Sequence, residues 1–187
     1  MEHLAFATGN AQKVALAQRF MSTHLVQRAV DMDEIQSLSF PEIAEHKVRQ
    51  AYAALHEPVV VQDSGVRYNA LNGLPGPFVR PFVEALGSSE ALCGLLDHYD
   101  DRSAIAVSCV AYYDGTNLKV IEKTAPGMVA STVPTGGDRW HGWSDSFIYA
   151  GTNKPWPELT EAEQNRVSMT GASFVALQKY LDALWNT

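Results

Sequence analysis

Pro58-Val59-Val60-Val61-Gln62-Asp63-Ser64-Gly65 is the stretch on which the fold turns. Three successive valines without polar alternation make a buried strand of the kind found inside α/β sheets. Asp63-Ser64-Gly65 ends that strand, and residues 66–70 resume as strand. Ligands of open α/β sheets gather beyond the carboxyl ends of the strands. Asp63 therefore stands where it can coordinate a hard cation or orient a water, although an aspartate capping a turn is also common there.

Upstream of this stretch, residues 3–8 (HLAFAT) read as a short buried strand ending at Gly9. Residues 10–21 have helical periodicity, with Val14, Ala17 and Met21 on one stripe. A second strand is expected at 24–30, leading into the acidic run Asp31-Met32-Asp33-Glu34. Pro41 opens a helix where proline is best tolerated, and that helix runs to about His56.

Downstream, residues 72–77 (NGLPGP) hold two glycines and two prolines, which makes a fixed turn. Short helices are expected near 79–86 and 89–98. Strands at 103–113 and 118–124 flank Asp114-Gly115, a hairpin signature. A glycine-rich loop at 135–142 precedes a short strand near 145–149. Thr160 with Glu163 spells a capping box, and Phe174, Leu177, Leu181 and Leu184 mark an amphipathic C-terminal helix. Without repeats, low-complexity tracts or linkers, residues 1–187 read as one compact α/β unit.

Composition narrows the function classes. Hydrophobic residues at 46% and charged residues at 19% exclude a disordered chain. The formal charge of −7, from 21 acidic and 14 basic residues, argues against non-specific binding to nucleic acid or anionic membrane. A small polyphosphate stays compatible, because a few local cations and a metal outweigh the global field. Cys93 and Cys109 sit among apolar residues without metal-ligand spacing and read as buried, reduced thiols. No run approaches the ~18 apolar residues of a membrane span, and the N-terminus goes directly into a strand-like segment, so a cytoplasmic location is expected.

The first strand–turn–helix, residues 8–13 (TGNAQK), offers a second chemical feature. Asn10 can cap the helix, and the free N–H groups and positive end of that helix suit a phosphate. Lys13, one turn in, adds a cation. Taken alone, the motif is equally an ordinary helix start with a solvated lysine. Glu34 and Lys47, each taken singly, read as solvent-facing charges.

Together these segments carry a resemblance. TGNAQK (8–13), Glu34, Lys47, VVVQDSG (59–65), NALNGLPGPFVR (69–80), GGDRWHGW (136–143) and TEAEQNRVS (160–168) occur in order along nearly the whole chain. The chain in this respect resembles the inosine triphosphate pyrophosphatase family, house-cleaning enzymes that remove deaminated purine nucleotides. The resemblance implies an elongated, two-lobed α/β fold with a long mixed central sheet flanked by helices and an active-site cleft between lobes. It implies a homodimer that hydrolyses nucleoside triphosphates such as ITP and XTP to the monophosphate and pyrophosphate with Mg²⁺.

Position by position, the resemblance places Thr8, Gly9, Asn10 and Lys13 along the triphosphate. It makes Glu34 and Asp63 metal ligands, with Asp63 also the water-orienting base and Ser64 beside it on the phosphate. Lys47 and Arg80 would steady phosphate oxygens; Arg80 stands where the family often has lysine. Splitting a phosphoanhydride needs neutralised charge and an aligned water, which this division of labour supplies.

The departures cluster at the base. His141-Gly142-Trp143-Ser144 stands where the family has aromatic-Gly-aromatic-Asp. Trp143 remains for stacking, while His141 and Ser144 replace an aromatic and the aspartate. Gln164 occupies the family's lysine position, and Ser168-Met169-Thr170 replaces its Ser-His-Arg run. The hydrogen-bonding groups behind the family's base preference are thereby removed. Gln62 stands where an acidic residue normally precedes Asp63, an argument for slower turnover. A sensor or pseudoenzyme with hydrolysis lost is the alternative from another class, and a hydrolase of a non-nucleotide substrate is a third. Arg67, on the face of its strand opposite Val66 and Tyr68, reads as a surface residue or a supplementary phosphate contact.

Overall fold

The computed structural model describes residues 3–133 and 142–186. The order is β1 (His3–Ala7), α1 (Ala11–Gln18), β2 (His24–Arg28), α2 (Phe40–Leu55), β3 (Val59–Tyr68), β4 (Pro75–Gly76), α3 (Val79–Leu86), α4 (Ser89–Gly94), β5 (Ser103–Tyr113), β6 (Leu118–Val129), β7 (Phe147–Tyr149), α5 (Glu161–Val167) and α6 (Met169–Trp185). The strands form one mixed sheet in the order β2-β1-β3-β5-β6-β7, with β4 added against β3. β1 runs parallel to both β2 and β3, with α1 and α2 supplying the crossovers that parallel pairing needs, and β4 and β7 pair antiparallel.

The chain divides into two compact units: Met1–Ser64 with Ser108–Lys123 and Thr170–Thr187, and Gly65–Val107 with Thr124–Met169. In the first, the core gathers Leu4 and Phe6 of β1, Val60 of β3, Val110 and Tyr112 of β5, Ala17 and Met21, and Phe174, Leu177 and Leu181 of α6. The stripes read from α1 and α6 are the faces that close over the sheet. In the second, rings run in sequence from Trp143 to Phe147, Tyr149 and Trp156, with centroids 5.8, 4.8 and 5.8 Å apart. Cys109 is buried in the first unit and Cys93 in the second.

Local chemistry explains most boundaries. Ser39 caps α2 by accepting from the Glu42 N–H, and Pro41 lies in its first turn. Thr160 and Glu163 form the reciprocal capping box of α5. Gly115 has φ of +95° in the β5–β6 hairpin, and a Cβ there would collide with the Tyr52 hydroxyl.

Three expectations are corrected. β3 does not end at Asp63-Ser64-Gly65 but runs unbroken from Val59 to Tyr68. Its continuation is held by β4, which pairs Val66 with Gly76 and Arg67 with Pro75, so neighbouring strands override the poor strand propensity of Asp, Ser and Gly. β6 extends past the expected 124 to Val129, because its end pairs with β7. α4 stops at Gly94, well before the expected 98, and Leu95 to Tyr99 continue only as turns. Among the described residues no helix is long and apolar enough to cross a membrane.

Candidate functional site

The β1–α1 turn is built largely by its own side chains. Asn10 Oδ1 accepts the N–H groups of Gln12 at 2.9 Å and Lys13 at 3.3 Å, and Thr8 Oγ1 accepts that of Asn10 at 3.1 Å. The cap thus consumes two amides that a phosphate could have used. Gly9 and Ala11, both exposed, carry amides that no cap bond takes up. A Cβ at Gly9 would meet nothing within 4 Å, so packing does not require glycine there and open space lies over the turn. Thr8 is tied to β2 through its N–H to the Arg28 carbonyl at 2.9 Å.

Lys13 reaches from α1 to β3, where its Nζ donates to the Gln62 carbonyl at 3.2 Å. Next along β3, the Asp63 carboxylate meets Lys47 of α2, with Nζ to Oδ2 at 2.9 Å. The same ammonium meets Glu34 Oε1 at 2.6 Å. Lys47 is 12% exposed, Asp63 23% and Glu34 63%, so the cluster grades from the protein interior out to solvent. Burial pulls the Lys47 pKa down, but the charges and hydrogen bonds of Asp63 and Glu34 outweigh it and hold the ammonium above the ordinary lysine value.

One unit therefore brings together Thr8, Gly9, Asn10, Lys13, Glu34, Lys47, Asp63 and Ser64. Charges that read singly as solvent-facing, Glu34 and Lys47, are partners. Two carboxylates converging on one cation give hard oxygen donors at a position that already suits positive charge. Among the described residues no group of three or more His, Cys, Asp and Glu side chains is assembled as a metal cage. Two carboxylates still suffice for Mg²⁺, which commonly takes one or two and fills its remaining positions with water and substrate phosphates.

The remaining candidates lie mainly in the second unit. Arg80 is 81% exposed on α3 and pairs with Glu84 at 2.8 Å. Trp143 and Ser144 are half-buried in a 3-10 turn whose Gly142 carbonyl accepts from Ser89 Oγ at 3.0 Å. Gln164 Nε2 donates to the Trp156 carbonyl at 3.3 Å. Ser168 and Met169 are buried, and Met169 Sδ accepts from the Tyr149 hydroxyl at 3.3 Å. Thr170, also buried, belongs to the first unit, and its carbonyl accepts from Ser173 Oγ at 2.7 Å. His141 lies outside the described residues.

Sequence reasoning singled out Gln62 but missed Ser108, Ser173, Asp145 and Gln50. Gln62 turns its amide inward, donating to Ser108 Oγ at 3.2 Å, and Ser108 shares a 3.1 Å hydroxyl bond with Ser173. The signal was a lone serine inside the apolar β5 run. Asp145, one residue past Ser144, is 2% exposed, and neither carboxylate oxygen has a hydrogen-bond partner among the described residues. Gln50 of α2 bonds both backbone groups of Asp33, at 3.0 and 3.1 Å, and nothing in its local sequence marked it.

The model of the Ham1 family matches residues 4–180. An inosine triphosphate pyrophosphatase of Ajellomyces capsulatus is 35% identical over 186 residues, covering 97% of each chain. One from Phaeosphaeria nodorum is 33% identical over 184 residues, covering 96% of this chain and 94% of the relative. The solved Ham1 protein of Staphylococcus aureus superposes with a TM-score of 0.82 at 24% identity, covering 97% of this chain and 98% of that one.

Proposed function

The chain belongs to the Ham1 family, and from that premise we propose that it is a nucleoside triphosphate pyrophosphohydrolase that releases the nucleoside monophosphate and pyrophosphate. The observation that carries this reading is Lys47 Nζ, bonded at once to Glu34 and Asp63 within the unit that also holds the capped β1–α1 turn. Non-standard purine nucleotides are the substrate class, in line with the names of the two fungal relatives.

The residues divide the work by position. Gly9 and Ala11 at the start of α1 would receive phosphate oxygens through their amides, with Lys13 adding positive charge. Asp63 Oδ2 is held by Lys47, which leaves Oδ1 to accept a proton from the attacking water. Lys47 keeps the carboxylate aimed and remains a cation throughout neutral pH. Glu34 and Asp63 would hold Mg²⁺, which when bound supplies charge neutralisation of the anhydride and lowers the pKa of water. Ser64 and Arg80 would contact the phosphates. Trp143 would stack on the base, with His141, Ser144, Gln164, Ser168, Met169 and Thr170 around it.

Because Met169, Thr170 and Ser144 stand where the family has hydrogen-bonding or charged groups, preference for ITP and XTP over ordinary purines should be reduced. We further propose a homodimer of this single two-lobed domain, acting in the cytoplasm. The deciding experiment is pyrophosphate release from ITP, XTP, dUTP and the four common nucleotides with Mg²⁺. Release from at least one is expected, with Asp63→Asn lowering kcat on the order of a hundredfold or more. Folded wild-type protein that releases pyrophosphate from none of them would sink the proposal.

A further inference from the structure

We propose that Gln50 is a positioning residue: it clamps the acidic loop by its backbone, so that Glu34 can exchange Lys47 for a divalent cation without leaving the site. The inference rests on the reading of Glu34 as a metal holder and names what keeps it there.

Residues 29–37 have no regular secondary structure, and the segment carries Asp31, Asp33 and Glu34. Its far end is secured by Ser37 Oγ on Glu42 at 2.6 Å and by the Ser39 cap of α2. Its near end leaves β2 at Arg28. Between those anchors, Gln50 Oε1 accepts the Asp33 N–H at 3.0 Å, and Gln50 Nε2 donates to the Asp33 carbonyl at 3.1 Å. The side-chain amide acts as a neighbouring strand would, pairing both backbone groups of one residue. Glutamine is the neutral side chain with both a donor and an acceptor at that reach; asparagine is one methylene shorter, and glutamate lacks the donor.

The clamp lies three residues along α2 from Lys47, on the same helix face, and Glu34 is the residue after Asp33. The loop is thus fixed at the peptide next to the functional carboxylate. Glu34 is 63% exposed and its ion pair with Lys47 is solvated, so the pair alone holds the loop weakly. Any cation that takes Glu34 from Lys47 removes that pair. Two backbone bonds from Gln50 are untouched by the exchange and keep the carboxylate within reach. Holding by backbone lets the side chain change partner.

The test uses the full chain and the variants Gln50→Ala and Gln50→Glu, with two readouts. Hydrogen exchange of the Asp33 amide, in protein without ligand, should accelerate roughly tenfold in Gln50→Ala. Half-saturating Mg²⁺ for pyrophosphate release should rise roughly fivefold, while kcat and nucleotide KM at saturating Mg²⁺ stay near wild type. Gln50→Glu, which keeps the acceptor and loses the donor, should fall between wild type and alanine on both readouts. Unchanged exchange at Asp33 would overturn the clamp. Faster exchange with an unchanged Mg²⁺ requirement would overturn its functional role, leaving a purely structural tie. If the wild type itself released no pyrophosphate, the enzymatic reading would fail separately. Calorimetric Mg²⁺ binding would then decide the clamp, equal affinity in wild type and Gln50→Ala counting against it.

Discussion

Lys47 carries its ammonium between two carboxylates, 2.6 Å from Glu34 and 2.9 Å from Asp63. Burial lowers its pKa, and the two acids raise it by more, so the folded value lies above that of the unfolded chain. A raised pKa contributes stability that is complete below the unfolded value, about 10.4, and is lost as pH rises through the folded value. We therefore expect this contribution to be flat across neutral pH. Wild type should lose thermal stability above about pH 10 more steeply than Lys47→Met, as melting curves at stepped pH would reveal. Gly9 invites a complementary test, since nothing packs over it. Gly9→Ala should change stability by less than about 0.5 kcal/mol in urea titration yet raise nucleotide KM, because the added methyl occupies space a phosphate would use. An unchanged KM would remove the β1–α1 turn from the binding site. At this scale, the Thr8-Gly9-Asn10 turn could be read in the sequence because it sits where a strand meets a helix, whereas Asp63 was singled out by an expected strand end that β3 runs straight through. Gln50 and Ser108 could not be read, because their partners, Asp33 and Gln62, are chosen by folding and leave no local spacing.

Elements were legible where their stabilising signal is local. The Pro41 helix start, the Thr160 capping box, the Asp114-Gly115 hairpin and the apolar stripe of α6 each lie within a few residues of what they define. The passage of β3 through Asp63-Ser64-Gly65 was not legible, since its continuation depends on pairing with β4. The same holds for β6, whose last turn of sequence is a strand because β7 is beside it. Gly127 is central to that pairing: a Cβ there would run into the Ile148 carbonyl and the ring of Phe147, itself 1% exposed. Gly127→Ala should cost roughly 1–3 kcal/mol by overpacking. Denaturant unfolding would measure this, and a variant as stable as wild type would mean that β7 can draw away from β6 freely.

Across the whole molecule, the mixed α/β sheet and the family pattern were visible from end to end, and the phosphate and acid residues read from sequence fall within one unit except Arg80, which belongs to the other. The base set is different in kind. Trp143, Ser144, Gln164, Ser168 and Met169 belong to the second unit and Thr170 to the first, while several of them bond to neighbours in their own unit. Their roles came from resemblance alone, because no spacing in the sequence ties the residues together. The two cysteines fall one to each unit, Cys93 at 2% exposure and Cys109 at 0%. A chromogenic disulfide reagent could reach either sulfur only when the surrounding unit opens. The protein accordingly carries two internal clocks. Peptide mapping of the modified chain during slow labelling should find both sulfurs reacting at one rate if the molecule opens as a whole, and at two rates if one half loosens while the other holds.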